Sequence, residues 1–315
     1  MVSGVRTVQK MGPAEWGMLL ILAVVWGSAF FFYKLLDEAQ LPPFTIVAGR
    51  VGVAALVLVP VVLLTGRRLP TTPGALGAFA LLGLLNNVVP FALIIVSEKR
   101  IDSGLASVFN ATTPIFTALI AQTVLHDEKL TPARIGGIAL GLAGVVLLMG
   151  PSVLRGFDLT SVAQLASIGA AISYAVSIVY ARRIRSLGID PIVLTCGQLL
   201  AATVIALPLA LGVEHPLHLL SALSASAWWA WLGLAVPGTA LAYVIYFRIM
   251  MTAGATNAAS VTFLAPIVAV LLGTFALGEH PVPTTIVGMF VIFAGQAVLD
   301  GRILRLFSRW RAVVL

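Results

Sequence analysis

Charge is what this 315-residue sequence has least of: Asp, Glu, Lys and Arg together make up 10% of it, against 60% apolar residues and a mean hydropathy of +1.06. Water-soluble domains carry about 25% charged residues, so a soluble fold is excluded. Cysteine is nearly absent as well. Cys196 stands alone in an apolar stretch, which rules out intrachain disulfides, cysteine-rich metal sites and a C-x-x-C redox pair. All four histidines (His126, His215, His218 and His280) fall between apolar runs or at their ends, and no Asp, Glu or His occupies the middle of one. Intramembrane proteolysis needs a Ser–His or paired-Asp arrangement at depth, so that chemistry has no residues to work with. Prenyl transfer would need a D-D-x-x-D cluster, and none occurs. A channel would show a ring of charge or a repeated filter loop, and neither is present. No cofactor and no metal site is expected.

What the sequence has is apolar length. A hydrocarbon core is crossed by roughly 20 apolar residues in a helix, and ten such stretches are expected. The first five run at about 15–33, 44–64, 74–96, 103–125 and 133–149. The second five run at about 162–181, 191–211, 225–247, 256–277 and 282–299. Short polar connections with Pro and Gly separate them (Pro42-Pro43, Gly150-Pro151, Pro281) and leave no room for a soluble domain. The N-terminus, with Arg6, Lys10 and the run from Trp16, has the outline of a signal peptide. An uncleaved first span is expected instead, because the run has a counterpart in the second half.

The net charge of +7 resides in short clusters between spans, which points to membrane orientation and not to nucleic acid. Of the 19 Lys and Arg residues, Lys34, Lys99, Arg100 and Arg155 fall on one side and Arg50 falls inside a span; the remaining 14 share the other side. The side rich in Lys and Arg is the cytoplasmic one. A multi-pass protein of the cell inner membrane with both termini cytoplasmic is therefore expected.

The halves also resemble each other. An offset of 148 brings Trp26 onto Tyr174, Lys34 onto Arg182, Pro43 onto Pro191, Arg50 onto Gln198 and Pro60 onto Pro208. An offset of 152 brings Thr113-Pro114-Ile115 onto Ala265-Pro266-Ile267, Asp127 onto Glu279 and Gly136 onto Gly288. Five spans per unit is an odd number, so the second copy enters from the opposite face. Inverted repeats of this kind are a recurring plan of secondary transporters. The expected organisation is a cytoplasmic segment 1–14, a five-helix repeat 15–150, an inverted repeat 160–300 and a basic tail 301–315. That tail carries Arg302 to Arg311 with Leu306, Phe307 and Trp310; it reads either as an interfacial amphipathic segment or as a solvated end.

Trp26-Gly27-Ser28, Phe30, Lys34, Pro43 and Arg50 resemble the first-repeat signature of the drug/metabolite transporter superfamily, EamA type. Pro114, the turn Asp127-Glu128-Lys129-Leu130-Thr131 and Gly136 continue the resemblance, and Pro266, Gly278-Glu279-His280 and Gly288 repeat it. It covers about Trp16 to Leu299. Departures fall in the second half: Tyr174 for the tryptophan, Gln198 for the arginine, and Thr284-Thr285 at a turn. The resemblance implies an all-α integral membrane fold, ten helices around a central cavity, exporting small metabolites and often amino acids. Phosphorylated cargo would need a mid-depth basic cluster, which this sequence lacks.

Candidate binding residues follow from the cost of polar groups in the membrane interior. Asn86-Asn87, followed by Pro90, can donate and accept toward a zwitterion without fixed charge, or bond between spans. Neighbouring residues cannot both face one cavity. Ser107, Asn110 and Pro114 share a helical face, and Pro114 frees a carbonyl near Asn110; Ala259, Thr262 and Pro266 mirror them. Trp26, Ser28, Ser173, Tyr174 and Ser177 offer aromatic walls with polar edges, or fill core volume. Pro237-Gly238-Thr239, then Tyr243 and Tyr246, form a break with a wall beyond it. Arg50, about 10 Å into its helix at 1.5 Å per residue, either meets a substrate carboxylate or pairs with Asp37, Glu38 or Glu98; pairing is expected. The runs Gly137/Gly141/Gly144 and Gly288/Gly295 are expected to let helices approach closely.

Proton-coupled carriers carry an intramembrane carboxylate or His. Its absence favours uniport, or coupling through groups nearer the surface. The expectation is a transporter, sufficient as a monomer in the bilayer, exporting neutral, apolar or aromatic amino acids by alternating access. The alternatives are a flippase or carrier for another amphiphile or lipid-linked group, and proton-coupled drug efflux.

Overall fold

The computed structural model describes residues 11–98, 100–101, 103–125, 127–158, 161–221, 223–277, 280 and 282–300. Arg6, Lys10, His126, the Gly278-Glu279 pair, Pro281 and the basic tail lie outside the described residues. The described chain is all helix: α1 (Pro13–Glu38), α2 (Pro43–Leu64), α3 (Pro73–Gly83), α4 (Val89–Glu98), α5 (Ser103–Asn110), α6 (Thr113–Val124), α7 (Pro132–Met149) and α8 (Val162–Arg183). There follow α9 (Pro191–Leu209), α10 (Leu217–Leu220), α11 (Ala225–Ala235), α12 (Ala242–Ala253), α13 (Ala255–Ala259), α14 (Val261–Leu277) and α15 (Thr285–Leu299). Eight helical stretches are long and apolar enough to cross a membrane, and the shorter apolar helices Pro13–Ala29 and Thr285–Leu299 accompany them. Their outward faces are apolar: Leu56, Val204 and Phe275 are 74%, 73% and 84% exposed. Such a surface suits lipid, since water tolerates only limited apolar patches.

Helix starts are written locally. Proline opens α2, α3, α7 and α9 at the position where a missing N–H costs nothing. Side-chain oxygens of Thr72, Thr131, Asp190 and Ser224 accept from the first-turn N–H groups of α3, α7, α9 and α11. Two helices outrun their apolar stretches: α1 continues to Glu38 and α12 to Ala253. Hydropathy marks only the part that sits in hydrocarbon, whereas backbone bonding carries on into the interface.

Three helical runs contain a widened π turn, at Leu84–Val88, Ala210–Glu214 and Val236–Leu241. Met11 N–H donates to Asp300 Oδ1 at 3.0 Å, so the two ends of the described chain meet at one end of the bundle. This is called the near end below.

The glycine runs act as expected in α7 and α15. A Cβ on Gly288 would stand 2.4 Å from Leu148 N and 2.8 Å from Gly144 O, and one on Gly295 would stand 2.7 Å from Gly141 N. The two helices touch backbone to backbone.

Candidate functional site

The bundle encloses a cavity of about 120 Å³, counted as room for the centres of water molecules. One water needs about 10–15 Å³ on that measure, so the space suits a ligand of several heavy atoms. Its walls come from α1, α2, α4, α5, α6, α8, α12, α14 and the π turn at Leu84–Val88. Tyr33, Ile94, Ala106 and Ser167 stand close to the far-end termini of α1, α4, α5 and α8, so the cavity reaches toward that end. Toward the near end Phe247, Ile249, Met250, Ala253, Ala255 and Phe263 are all buried, and the bundle is closed.

Aromatic rings make the wall. Trp26 lies 5.2 Å from Tyr246 and 6.0 Å, edge on, from Tyr243, and Phe91 meets Tyr174 at 6.4 Å. Edge-to-face contacts hold such rings in fixed relative orientation. The polar edges are anchored through irregular backbone. Pro90 cannot donate to the carbonyl four residues before it, that of Asn86, and Tyr243 Oη donates to this oxygen at 2.8 Å. The neighbouring Leu85 carbonyl accepts from Ser173 Oγ at 2.7 Å. In the π turn at Val236–Leu241 the Gly238 carbonyl accepts from Trp26 Nε1 at 3.2 Å and from Arg50 Nη2 at 3.1 Å.

Of the residues expected at the site, Trp26, Asn86, Ser107, Asn110, Tyr174, Tyr243 and Thr262 line the cavity. Five do not. Ser28 Oγ turns back to the Val25 carbonyl of its own helix. Ser173 is spent on Leu85, and Ser177 bonds Asn86 Oδ1 at 3.0 Å. Thr239 Oγ1 donates to the Leu234 carbonyl and accepts from Arg50 Nε at 2.6 Å. Ser177 and Thr239 therefore hold lining residues in place from behind. Asn87 faces away from the cavity, as its rotation of about 100° from Asn86 requires; it is fully buried, and neither of its amide atoms has a partner among the described residues. An unpaired buried amide costs about 1–3 kcal/mol. Asn87→Leu, which keeps the volume and removes the orphaned groups, is expected to raise the thermal unfolding midpoint in detergent; an unchanged or lower midpoint would show that the amide is satisfied.

The proline breaks are unequal. α5 ends at Asn110, whose carbonyl accepts from Thr113 Oγ1 at 2.7 Å just ahead of Pro114. Pro266 sits inside an unbroken α14, and the interruption there comes earlier, at Ser260 between α13 and α14. Pro90 and the Pro237-Gly238 pair each accompany a π turn.

Arg50 was expected to pair with Asp37, Glu38 or Glu98, whose side chains lie outside the described residues. It is 4% exposed and lines the cavity, and its bonds go to neutral groups: Tyr33 Oη at 2.5 Å, Thr239 Oγ1 and the Gly238 carbonyl. Its guanidinium lies 4.0 Å over the Phe91 ring. Among the described residues no carboxylate pairs with it. The side chain reaches inward to the carbonyl that the π turn of a different helix presents.

A second feature was not legible in the sequence. Glu128, in the loop after α6, is fully buried, with Oε1 accepting from Ala255 N at 2.6 Å and Oε2 from Thr256 N and Oγ1 at 3.1 and 2.9 Å. Gly254, at φ +98°, makes the turn that aims these donors at the carboxylate. Arg182 lies beside it (3.8 Å), donating to Asp127 Oδ2 at 3.0 Å and to the Met250 and Met251 carbonyls. This knot joins α8, the α6–α7 loop and the α12–α13 junction at the near end. Glu214 repeats the device at the far end, accepting from Phe44 N, Thr45 N and Thr45 Oγ1.

Membrane helices around an aromatic-walled, partly polar cavity, closed at one end, have the plan of a carrier for small molecules. The model of the EamA-like transporter family matches residues 15–150 and again 161–299. The chain belongs to that family and is a membrane transporter. It is 32% identical to the uncharacterized inner membrane transporter YedA of Escherichia coli K12 over 84% of this chain and 83% of that one. It is 26% identical to a probable terminal-alkyne amino-acid exporter of Streptantibioticus cattleyicolor, over 94% and 96% of the two chains. A crystal structure 21% identical in sequence superposes with a TM-score of 0.74 over 91% of this chain and 97% of its own, which shows the same fold.

Proposed function

We propose that the protein is an inner-membrane exporter of small metabolites, neutral amino acids with apolar or aromatic side chains foremost, working by alternating access. The observation that carries this is the cavity itself: aromatic walls, amide and hydroxyl edges, and a single fixed charge among its described lining residues. The curated relatives named as an inner membrane transporter and an amino-acid exporter support the same reading. On this reading all ten apolar helices span the bilayer, with α1 and α15 completing the eight long stretches, and both termini are cytoplasmic.

Two inverted five-helix repeats supply the two alternating states. The double family match supports this, and so does the placing of irregularities. The π turns at Leu84–Val88 and Val236–Leu241 start 152 positions apart, as do the capping residues Thr72 and Ser224. Arg50 bonds Gly238, while Gln198 and Asn86, their counterparts at offsets of 148 and 152, bond each other at 3.2 Å. The near end, closed by the Glu128–Arg182 knot, is then cytoplasmic, and the cavity faces outward.

Purified protein in proteoliposomes is expected to equilibrate labelled methionine, threonine or phenylalanine faster than empty vesicles do. Asn110→Ala, which removes a lining amide, is expected to lower that flux about tenfold. Equal rates with and without protein for all three compounds would overturn the proposal.

A further inference from the structure

We infer that Arg50 is the anchor for a carboxylate, and that the transported molecule must carry one. The inference rests on the transport reading above and narrows it to a class of cargo. A cation buried within membrane helices is costly unless an anion or a dense set of dipoles compensates it. Arg50 is supported by a phenol, an alcohol, a carbonyl and the face of Phe91, all neutral. Three bonds engage one N–H on each of Nε, Nη1 and Nη2; a guanidinium has five, so each terminal nitrogen keeps a second N–H. Two N–H donors on adjacent nitrogens are what a carboxylate takes in fork geometry. Among the described residues these neutral supports orient the group without neutralising it, which leaves the charge for a ligand.

A second polar group in the same cavity has the opposite demand. Asn110 lines the space, and its Oδ1, shielded behind the wall, has no hydrogen-bond partner among the described residues, so rotation of the amide brings an acceptor to an ammonium. The rings of Trp26, Tyr243 and Tyr246 add π faces that attract a cation. A free α-amino acid satisfies both groups with its two ends, and its side chain lies against the aromatic wall. Molecules with the same body and no carboxylate leave Arg50 uncompensated.

Wild-type protein separates these cases through competition against labelled L-phenylalanine flux. Unlabelled phenylalanine and 3-phenylpropionate, which keeps the carboxylate and lacks the amine, are expected to compete. Phenethylamine and L-phenylalaninamide, which lack the carboxylate, are expected not to. Arg50→Gln is expected to weaken the apparent affinity for phenylalanine about a hundredfold, and Arg50→Lys, a point charge without the fork, to restore part of it. Competition by phenethylamine or the amide equal to that by phenylalanine overturns the inference, and this holds even where Arg50→Gln fails to fold. Binding is read independently as the rise in thermal midpoint on adding 3-phenylpropionate. An Arg50-dependent rise without any flux would overturn the export reading and leave the anchor standing. No rise with either carboxylate would overturn the anchor.

Discussion

Glu128→Ala is expected to destabilise the protein by about 3–5 kcal/mol, the cost of breaking a buried charge pair by removing one partner. Glu128 is fully buried, and the Arg182 side chain is 2% exposed. Removing the carboxylate orphans the Ala255 and Thr256 N–H groups and leaves the Arg182 charge with Asp127 and two carbonyls. Glutamine does not rescue the site, because each carboxylate oxygen accepts a backbone N–H and an amide offers only one oxygen. Asp127→Asn is the milder control: that side chain is 49% exposed, and its remaining amide oxygen can still accept from Arg182. The effect has a second readout. The same contacts hold the near end shut, so a thiol at Ile178→Cys, on the cavity wall, is expected to react with an impermeant maleimide from that end only when Glu128 is replaced. Wild-type stability and no labelling in Glu128→Ala would show that the knot neither braces nor seals the bundle.

Gly288→Leu is expected to abolish the folded protein, and Gly288→Ala to cost about 1–3 kcal/mol or more. The methyl of alanine would stand 2.4 Å from Leu148 N and 2.7 Å from its Cα. Both neighbours are backbone atoms, so no rotamer change relieves the contact; α7 and α15 must part. Separating them also strains the bonds that Thr284 and Thr285 hydroxyls donate to the Leu147 and Leu148 carbonyls. Gly136→Ala, where the nearest atom to a new methyl is 3.9 Å away, is expected to be silent. Comparing the thermal midpoints of the two alanine variants in detergent checks this, and equal midpoints would refute the close approach.

About half of the candidate site was legible from residue type. Trp26, Asn86, Ser107, Asn110, Tyr174, Tyr243 and Thr262 are polar or aromatic residues deep in apolar helices, and all reach the cavity. Ser28, Ser173, Ser177 and Thr239 have the same credentials and do other work, because short hydroxyl side chains bond nearby carbonyls as readily as a ligand. Asn87 was separated from Asn86 only by helix rotation. Tyr33, Phe91 and Ser167 were not singled out at all, being ordinary residues of membrane helices until neighbours are placed beside them.

Apolar runs of bilayer length, glycine at helix contacts, proline and hydroxyl caps at helix starts and the offsets of 148 and 152 were all determined by the sequence alone. Each depends on the covalent character of residues close together in the chain, or on repetition of a pattern. Only the tertiary structure decided where Arg50 and Glu128 point. Arg50 ends on Thr239 and Gly238, far along the chain, and Glu128 on Ala255 and Thr256. A long charged side chain in a membrane goes to whichever backbone group is left open, and the turns that open those groups belong to other helices. The shortage of charge announced a membrane protein, and the packing of the helices assigned the few charges their tasks.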